Sequence, residues 1–456
     1  MKTAGYESIV EGSPLNPFLK RLALFTSGGT FLDGYILVII GIALMQLGAQ
    51  LKLDAFWEGS IGAAALVGMF LGAVVFGYAT DLLGRRLMYQ IEPIVIIVLS
   101  VTQILVTTAW QLALLRFLIG IAVGADYPIA TSLLTEFSPR KYRGLMLGYL
   151  ICVWYLGGVG AAMVGYALLS AGPAGWRWML GSAAVPAILL VFGRWNTPES
   201  PRWLVNKGRL EEAQEVVWSV WGTHADFSDV RESQWRRTHF LRVFSPGYLG
   251  RTIFIGTFQT VKIIPVFAIY TFGPKILEAF HLGVGNLWIV AYALTNAFFL
   301  IGCIPPLMLI DSLGRRPLMI WSFFFMTLGL LVLGLFPHAP AWVIISGLLI
   351  YALVSGGPGV LQWIYPNELF PTEVRATAVG VATAVSRIGA AIGTFVLQYW
   401  LLIYGIGTTM LINAGITMLG FVVSVWLAPE TKGLSLREGS ELGANPALAT
   451  GGGAHR

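Results

Sequence analysis

Apolar residues run in blocks of about twenty along this chain, separated by short clusters of charged residues, glycine and proline. A hydrocarbon core of about 30 Å is crossed by roughly 20 apolar residues in a helix. Reading the runs between charged breaks predicts twelve such helices, near 22–48, 57–80, 87–108, 110–135, 145–169, 177–195, 252–277, 285–310, 318–336, 341–365, 377–403 and 407–428. The polar remainder predicts an N-terminal segment over 1–21 with no cleavable signal pattern, a partly helical linker over 197–250, and a tail over 429–456.

Three motif pairs share nearly one offset. Asp81-Leu-Leu-Gly-Arg85-Arg86 recurs as Asp311-Ser-Leu-Gly-Arg315-Arg316, 230 residues on. Glu136-Phe-Ser-Pro139 with Arg143 recurs as Glu368-Leu-Phe-Pro371 with Arg375, and Pro198-Glu199 as Pro429-Glu430. A repeated unit of this length is a duplication. The fold class expected is an all-α membrane protein, twelve transmembrane helices in two pseudo-symmetric six-helix bundles, 22–196 and 251–428.

Composition agrees with that pattern. The chain is 56% hydrophobic and 11% charged, with a mean hydropathy of +0.74, against about 25% charge in soluble domains. The net charge of +6 would suit nucleic acid, but the placement of the bases excludes that partner. With the N-terminus inside, 23 of the 29 basic residues, Arg194 among them, fall in loops on one side. Lys52, Arg177 and Lys275 fall on the other, and Arg116, Lys262 and Arg387 inside spans. The asymmetry predicts both termini in the cytoplasm. Short outer loops and the lack of an Asn-x-Ser/Thr sequon fit a bacterial inner membrane. Cys152 and Cys303 lie in apolar runs and serve packing. No cofactor or metal is expected.

These motifs resemble the major facilitator superfamily over nearly the whole chain. Gly77-x3-Asp81-x2-Gly84-Arg85-Arg86 matches that family's loop between helices 2 and 3, and Arg116-x3-Gly120-x3-Gly124 its helix 4. Pro198-Glu-Ser-Pro-Arg-Trp-Leu204 and Pro429-Glu-Thr-Lys-Gly433 match the motifs closing each half of the sugar-porter-like branch. The resemblance implies two halves rocking about a central site, so that each face opens in turn. Asp81, Arg85, Arg86, Glu136, Arg143, Asp311, Arg315, Arg316, Glu368 and Arg375 are then conformational gates, able to pair across the interface between halves. The alternative is that they only anchor topology.

An ionisable group at mid-bilayer is a functional candidate by default. Five are counted: Asp33, Arg116, Asp126, Lys262 and Arg387. Asp33 and Asp126 each fall roughly 15 Å from the cytoplasmic face at about 1.5 Å per residue, so they sit at one level and suit proton coupling, with Arg116 pairing either acid in turn. Phe31-Leu32-Asp33-Gly34-Tyr35 and Gly124-Ala-Asp126-Tyr127-Pro128 resemble proton-coupled phosphate and bacterial metabolite or aromatic-acid symporters. The sugar-porter aspartate that follows Gly-Tyr is replaced, since this chain has Gly34-Tyr35-Ile36. Asp126 also has a structural reading, as a helix-packing or N-cap-like bond ahead of Pro128.

Lys262 and Arg387 have no acid of their own half in a span. Two such cations suit an anion site, and Ser386-Arg387-Ile-Gly389-Ala390 resembles the helix 11 motif of anion symporters. Arg387 has a competing reading as a cross-cavity partner of Asp33 or Asp126. The sugar-porter helix 7 readers (paired glutamines, Gly-Ile-Asn, two tyrosines) are absent; Val261-Lys262-Ile-Ile264-Pro265 stands there. Trp363 matches a cavity-lining tryptophan of helix 10. Trp154, Tyr155 and Tyr270 are further candidate substrate contacts, or interfacial anchors.

The function expected is a secondary active transporter, a proton-coupled symporter of a small organic anion such as an aromatic or sugar acid. Its partners are the solute, protons and the lipid bilayer, and it acts as a monomer. A sugar or polyol symporter is the alternative on the same scaffold, followed by a transporter-like sensor. A membrane enzyme is a remote alternative, because its only support, His224-x4-Asp229, falls in the polar linker.

Overall fold

The computed structural model describes residues 9, 12–224, 243–280, 287–370 and 372–432. These residues form α-helices joined by short turns, with no strand among them. The first six spans are α1 Pro17–Gln50, α2 Ala55–Leu83, α3 Arg85–Ile104, α4 Ala109–Phe137, α5 Arg140–Leu169, and the pair α6 Gly175–Gly181 with α7 Ala184–Arg194. Short helices α8 Pro201–Asn206 and α9 Leu210–Trp221 follow in the linker. The second set is α10 Pro246–Ala279, α11 Leu287–Gly302 with α12 Ile304–Leu313, α13 Arg315–Leu335, α14 Ala341–Val354 with α15 Gly356–Leu369, and α16 Thr372–Leu427.

Eleven helices or helix pairs are long and apolar enough to cross a membrane. The last of them carries two spans, because Gly405 at φ 74°, ψ 176° breaks α16. The predicted twelve are recovered, with three spans divided. Two of the divisions follow from proline and glycine: Pro305-Pro306 begins α12, and Gly356-Gly357-Pro358 opens α15. Proline removes a backbone donor and crowds the preceding turn.

Polarity is inverted relative to a soluble protein. Val98, Phe192, Leu402 and Trp426 are exposed, while Asp33, Arg116, Asp126 and Arg194 are buried. Within the first set, α2 packs on α4 and α1 on α5; within the second, α10 and α13 pack on α16. The sets meet where α2 touches α16, α5 touches α11 and α1 touches α10. Gly68 and Gly72 press on the α4 backbone, and Gly389 and Gly393 on Thr260 and Ile264 of α10, so both stripes serve packing inside the chain.

One face of the bundle carries the repeated motifs. There Gly84 (φ 102°) ends α2 and turns directly into α3. The open N-terminus of α3 is closed by Glu199, which accepts from Arg85 N at 3.0 Å and Arg86 N at 3.1 Å. The second set repeats this in detail. Gly314 (φ 92°) turns into α13, and Glu430 accepts from Arg315 N at 3.0 Å and Arg316 N at 3.1 Å. A carboxylate at a helix N-terminus satisfies orphan amides and opposes the helix dipole. The recurring Pro-Glu pair is therefore a capping device supplied from a distant residue.

Replacing Glu199 or Glu430 by alanine should each cost about 1 kcal/mol, the usual value of a lost N-terminal cap. The caps share no partner, so the double variant should lose the sum of the two. Thermal unfolding in detergent measures this; a double variant no worse than either single one would refute independent caps.

Candidate functional site

A chain of buried and half-buried groups runs from the first helix set to the second. On the first side Arg194, the last residue of α7, points inward and is fully buried. Its Nε donates to Phe25 O at 3.2 Å, Nη1 to Tyr89 O at 3.2 Å and to Glu92 Oε2 at 2.5 Å, and Nη2 to Asp126 Oδ1 at 3.1 Å. The guanidinium also lies over the Tyr89 ring, 4.0 Å from its centroid. The space it fills exists because residue 29 is glycine; a Cβ there would strike both Asp126 Oδ2 and Arg194 Nη2.

Asp33 stands one turn further along α1 from Gly29. It is fully buried, and neither carboxylate oxygen has a hydrogen-bond partner. The charged groups that act on it are Asp126, Glu92 and Arg387, with the Tyr127 hydroxyl also close. Arg387, on α16, belongs to the second side. Its guanidinium lies 5.3 Å from the Tyr127 ring centroid and 5.2 Å from that of Phe267, and its Nη1 has no hydrogen-bond partner. Tyr127 in turn stacks on Trp363 at 6.1 Å and 10°. Lys262 is buried and donates to Gln362 Oε1 at 3.3 Å. Beside these cations Trp154, Tyr155, Phe267, Tyr270 and Phe299 form one aromatic cluster, with Tyr155 and Phe299 stacked at 5.8 Å and Tyr270 and Phe299 4.9 Å apart.

A family described as "Sugar (and other) transporter" matches residues 22–442. The chain belongs to this family. It is 47% identical over 423 residues to the putative metabolite transport protein YaaU of Escherichia coli K12, covering 93% of this chain and 95% of that one. It is 38% identical over 430 residues to the inner membrane metabolite transport protein YgcS of the same organism, covering 94% and 96%. The xylose transporter XylE of E. coli, in a partially occluded inward open conformation, superposes with a TM-score of 0.80 over 92% of this chain and 100% of that one. At 22% identity that likeness establishes the fold. The protein is thus a multi-pass major-facilitator transporter of the sugar-porter family.

In this sugar porter several residues hold positions other than those expected. Arg116 pairs with neither acid. It donates to Ile36 O at 3.0 Å, because ten residues along one helix put it about 15 Å from Asp126. Arg194, placed by sequence in a cytoplasmic loop, does the pairing. Glu92 is a sixth intramembrane charge beyond the five counted; its position inside the apolar run of the third span was the available signal. Tyr127, adjacent to Asp126, carried no charge to mark it. Two pairs of gate residues lie among the described residues. Arg85 meets Glu136 at 3.4 Å and Arg315 meets Glu368 at 2.7 Å, each pair inside one helix set rather than across the interface. Burial raises the Glu136 carboxyl above its ordinary range, against the pull of Arg85. The Arg86 and Arg316 side chains are exposed. The side chains of Asp81, Arg143, Asp311 and Arg375 lie outside the described residues. An ion pair between Glu58 and Lys275 does cross the sets, on the face opposite the motifs. His224 is exposed, stacked on Trp218 and bonded to Gln214, and Asp229 lies outside the described residues.

Removing Arg194 strands two buried acids. Arg194→Met should lower stability by about 3–5 kcal/mol, the usual cost of breaking a buried ion pair from one side, and adding Glu92→Gln should restore part of it. Thermal unfolding of the purified single and double variants measures both; an unchanged midpoint in the single variant would contradict the pairing.

Proposed function

We propose that this transporter is a proton-coupled symporter of a small organic anion, with Asp33 as the proton carrier and Arg387 and Lys262 as the anion-binding cations. The observation that carries the reading is the pair of incomplete charges where the two helix sets meet: a buried Asp33 carboxylate with no ion pair, beside the Tyr127 hydroxyl, and an Arg387 guanidinium held by ring faces with Nη1 free. Unsatisfied charge is costly inside a membrane protein, and a proton on one and an anion on the other complete both.

Electrostatics then links the two cargoes. Ionised Asp33 acts on Arg387 as an internal anion and competes with the solute for it. Protonation removes the competitor, so the proton raises solute affinity and, by reciprocity, the solute raises proton affinity. Asp126, engaged by Arg194, modulates Asp33 as a like charge. Bundles 22–196 and 251–428 rock about this site, in a bacterial inner membrane with both termini cytoplasmic, as a monomer. On this orientation the Glu58–Lys275 pair closes the outer face.

A neutral-sugar or polyol symporter is the second reading. Family membership and the position of Trp363 favour it, and it would make Arg387 a partner of Asp33 only.

Solute-driven proton entry into proteoliposomes separates the two. Wild-type protein should acidify the lumen when given organic acids, and its affinity for them should fall as pH rises. Asp33→Asn should keep solute exchange, lose pH-dependent affinity and abolish uphill accumulation, while Arg387→Ala should lose the response to acids. Accumulation against a gradient by Asp33→Asn would remove Asp33 as carrier; acidification by neutral sugars and not by organic acids would establish the second reading.

A further inference from the structure

Three polar atoms in the aromatic cluster lack partners. Trp154 Nε1, Tyr270 Oη and Asn296 Oδ1 are buried without a hydrogen bond, and each such group costs about 1–3 kcal/mol while unpaired. They form one patch. The Trp154 and Tyr270 rings meet edge to face at 5.2 Å. A methyl group at Gly158 would lie 3.1 Å from Asn296 Oδ1 and 3.8 Å from Tyr270 Cε1. The patch thus offers one donor, one acceptor and one hydroxyl able to act as either.

Both cations border it. Arg387 sits over Phe267, whose ring is 6.1 Å from that of Trp154. Tyr155 meets Trp154 edge to face at 5.1 Å. A methyl group at Gly359 would stand 3.4 Å from Tyr155 Oη and 3.9 Å from Lys262 Nζ, so the ammonium lies beside the Tyr155 hydroxyl. Trp154 and Trp363 are half-buried, and Trp363 stacks on the Tyr127 ring over which Arg387 lies. Cations suit a carboxylate, neutral donors and acceptors suit hydroxyls, and ring faces suit the C–H surface of a saturated ring.

We propose that the anion is a polyhydroxylated acid, an aldonic or uronic acid, whose carboxylate is held by Lys262 and Arg387 and whose hydroxyls are held by Trp154, Tyr270 and Asn296. This rests on the anion reading above and narrows it. An aromatic acid without hydroxyls leaves the three buried atoms unpaired, and a site built for hydrogen bonds rejects such a ligand strongly. A neutral sugar leaves the two cations without a counter-charge.

Titration calorimetry on the purified full chain, with D-gluconate, D-glucuronate, D-glucose and benzoate, tests this. One or both sugar acids should bind at least tenfold more tightly than glucose and benzoate. Tyr270→Phe, which keeps the ring, should weaken sugar-acid binding about fivefold, the worth of one neutral hydrogen bond, and leave benzoate unchanged. Lys262→Gln should weaken both acids and spare glucose. Benzoate binding as tightly as the sugar acids, or Tyr270→Phe leaving them unaffected, would overturn the polyhydroxylated assignment while the anion reading stands. Glucose binding more tightly than every acid, or no binding by any of the four, would overturn both.

Discussion

Arg194 holds the first helix set together by a single guanidinium that reaches α1 through Phe25 O, α3 through Tyr89 O and Glu92, and α4 through Asp126. Buried carboxylates persist only beside a compensating cation or as neutral acids, and here one cation serves two of them. Asp33, a turn beyond Gly29, is the acid left over. The Arg194 guanidinium is engaged by Glu92 and Asp126, and the cation that acts on Asp33 is Arg387 of the second set.

The second helix set carries the opposite charge next to Asp33. Lys262 and Arg387 meet an amide oxygen and two ring faces rather than carboxylates. An excess acid on one side therefore faces excess bases on the other, with Tyr127 between Asp33 and Arg387. Charge that is balanced across the interface, not within each half, depends on how the halves meet. This is a physical basis for tying occupancy of the site to the relative position of the bundles.

At the motif face the contacts among the described residues stay within each half. Glu199 and Glu430 cap α3 and α13, and the ion pairs Arg85–Glu136 and Arg315–Glu368 stay within their own helix set. Such bracing keeps each bundle rigid, as rocking of whole bundles requires. The described cross-set ion pair, Glu58–Lys275, lies on the other face.

The spans, the duplication and the family were legible in the sequence, because each is a one-dimensional property: run length against bilayer thickness, motif spacing, and local motif chemistry. Asp33, Asp126, Lys262 and Arg387 were legible for the same reason, as charges in apolar runs. Their partners were not. Arg194 is 102 residues from Glu92 and 68 from Asp126, and its place at the end of a span made it look like a loop cation until the fold turned it inward. Glu199 and Glu430 read as family motifs, and only the packed helix ends made them caps. The unpaired atoms of Trp154, Tyr270 and Asn296 belong to uncharged side chains whose hydrogen bonding depends on neighbours brought from other helices. Hydrophobic length and charge placement are written along the chain, whereas pairing and its absence are decided by which side chains the tertiary structure brings within 3 Å or so of one another.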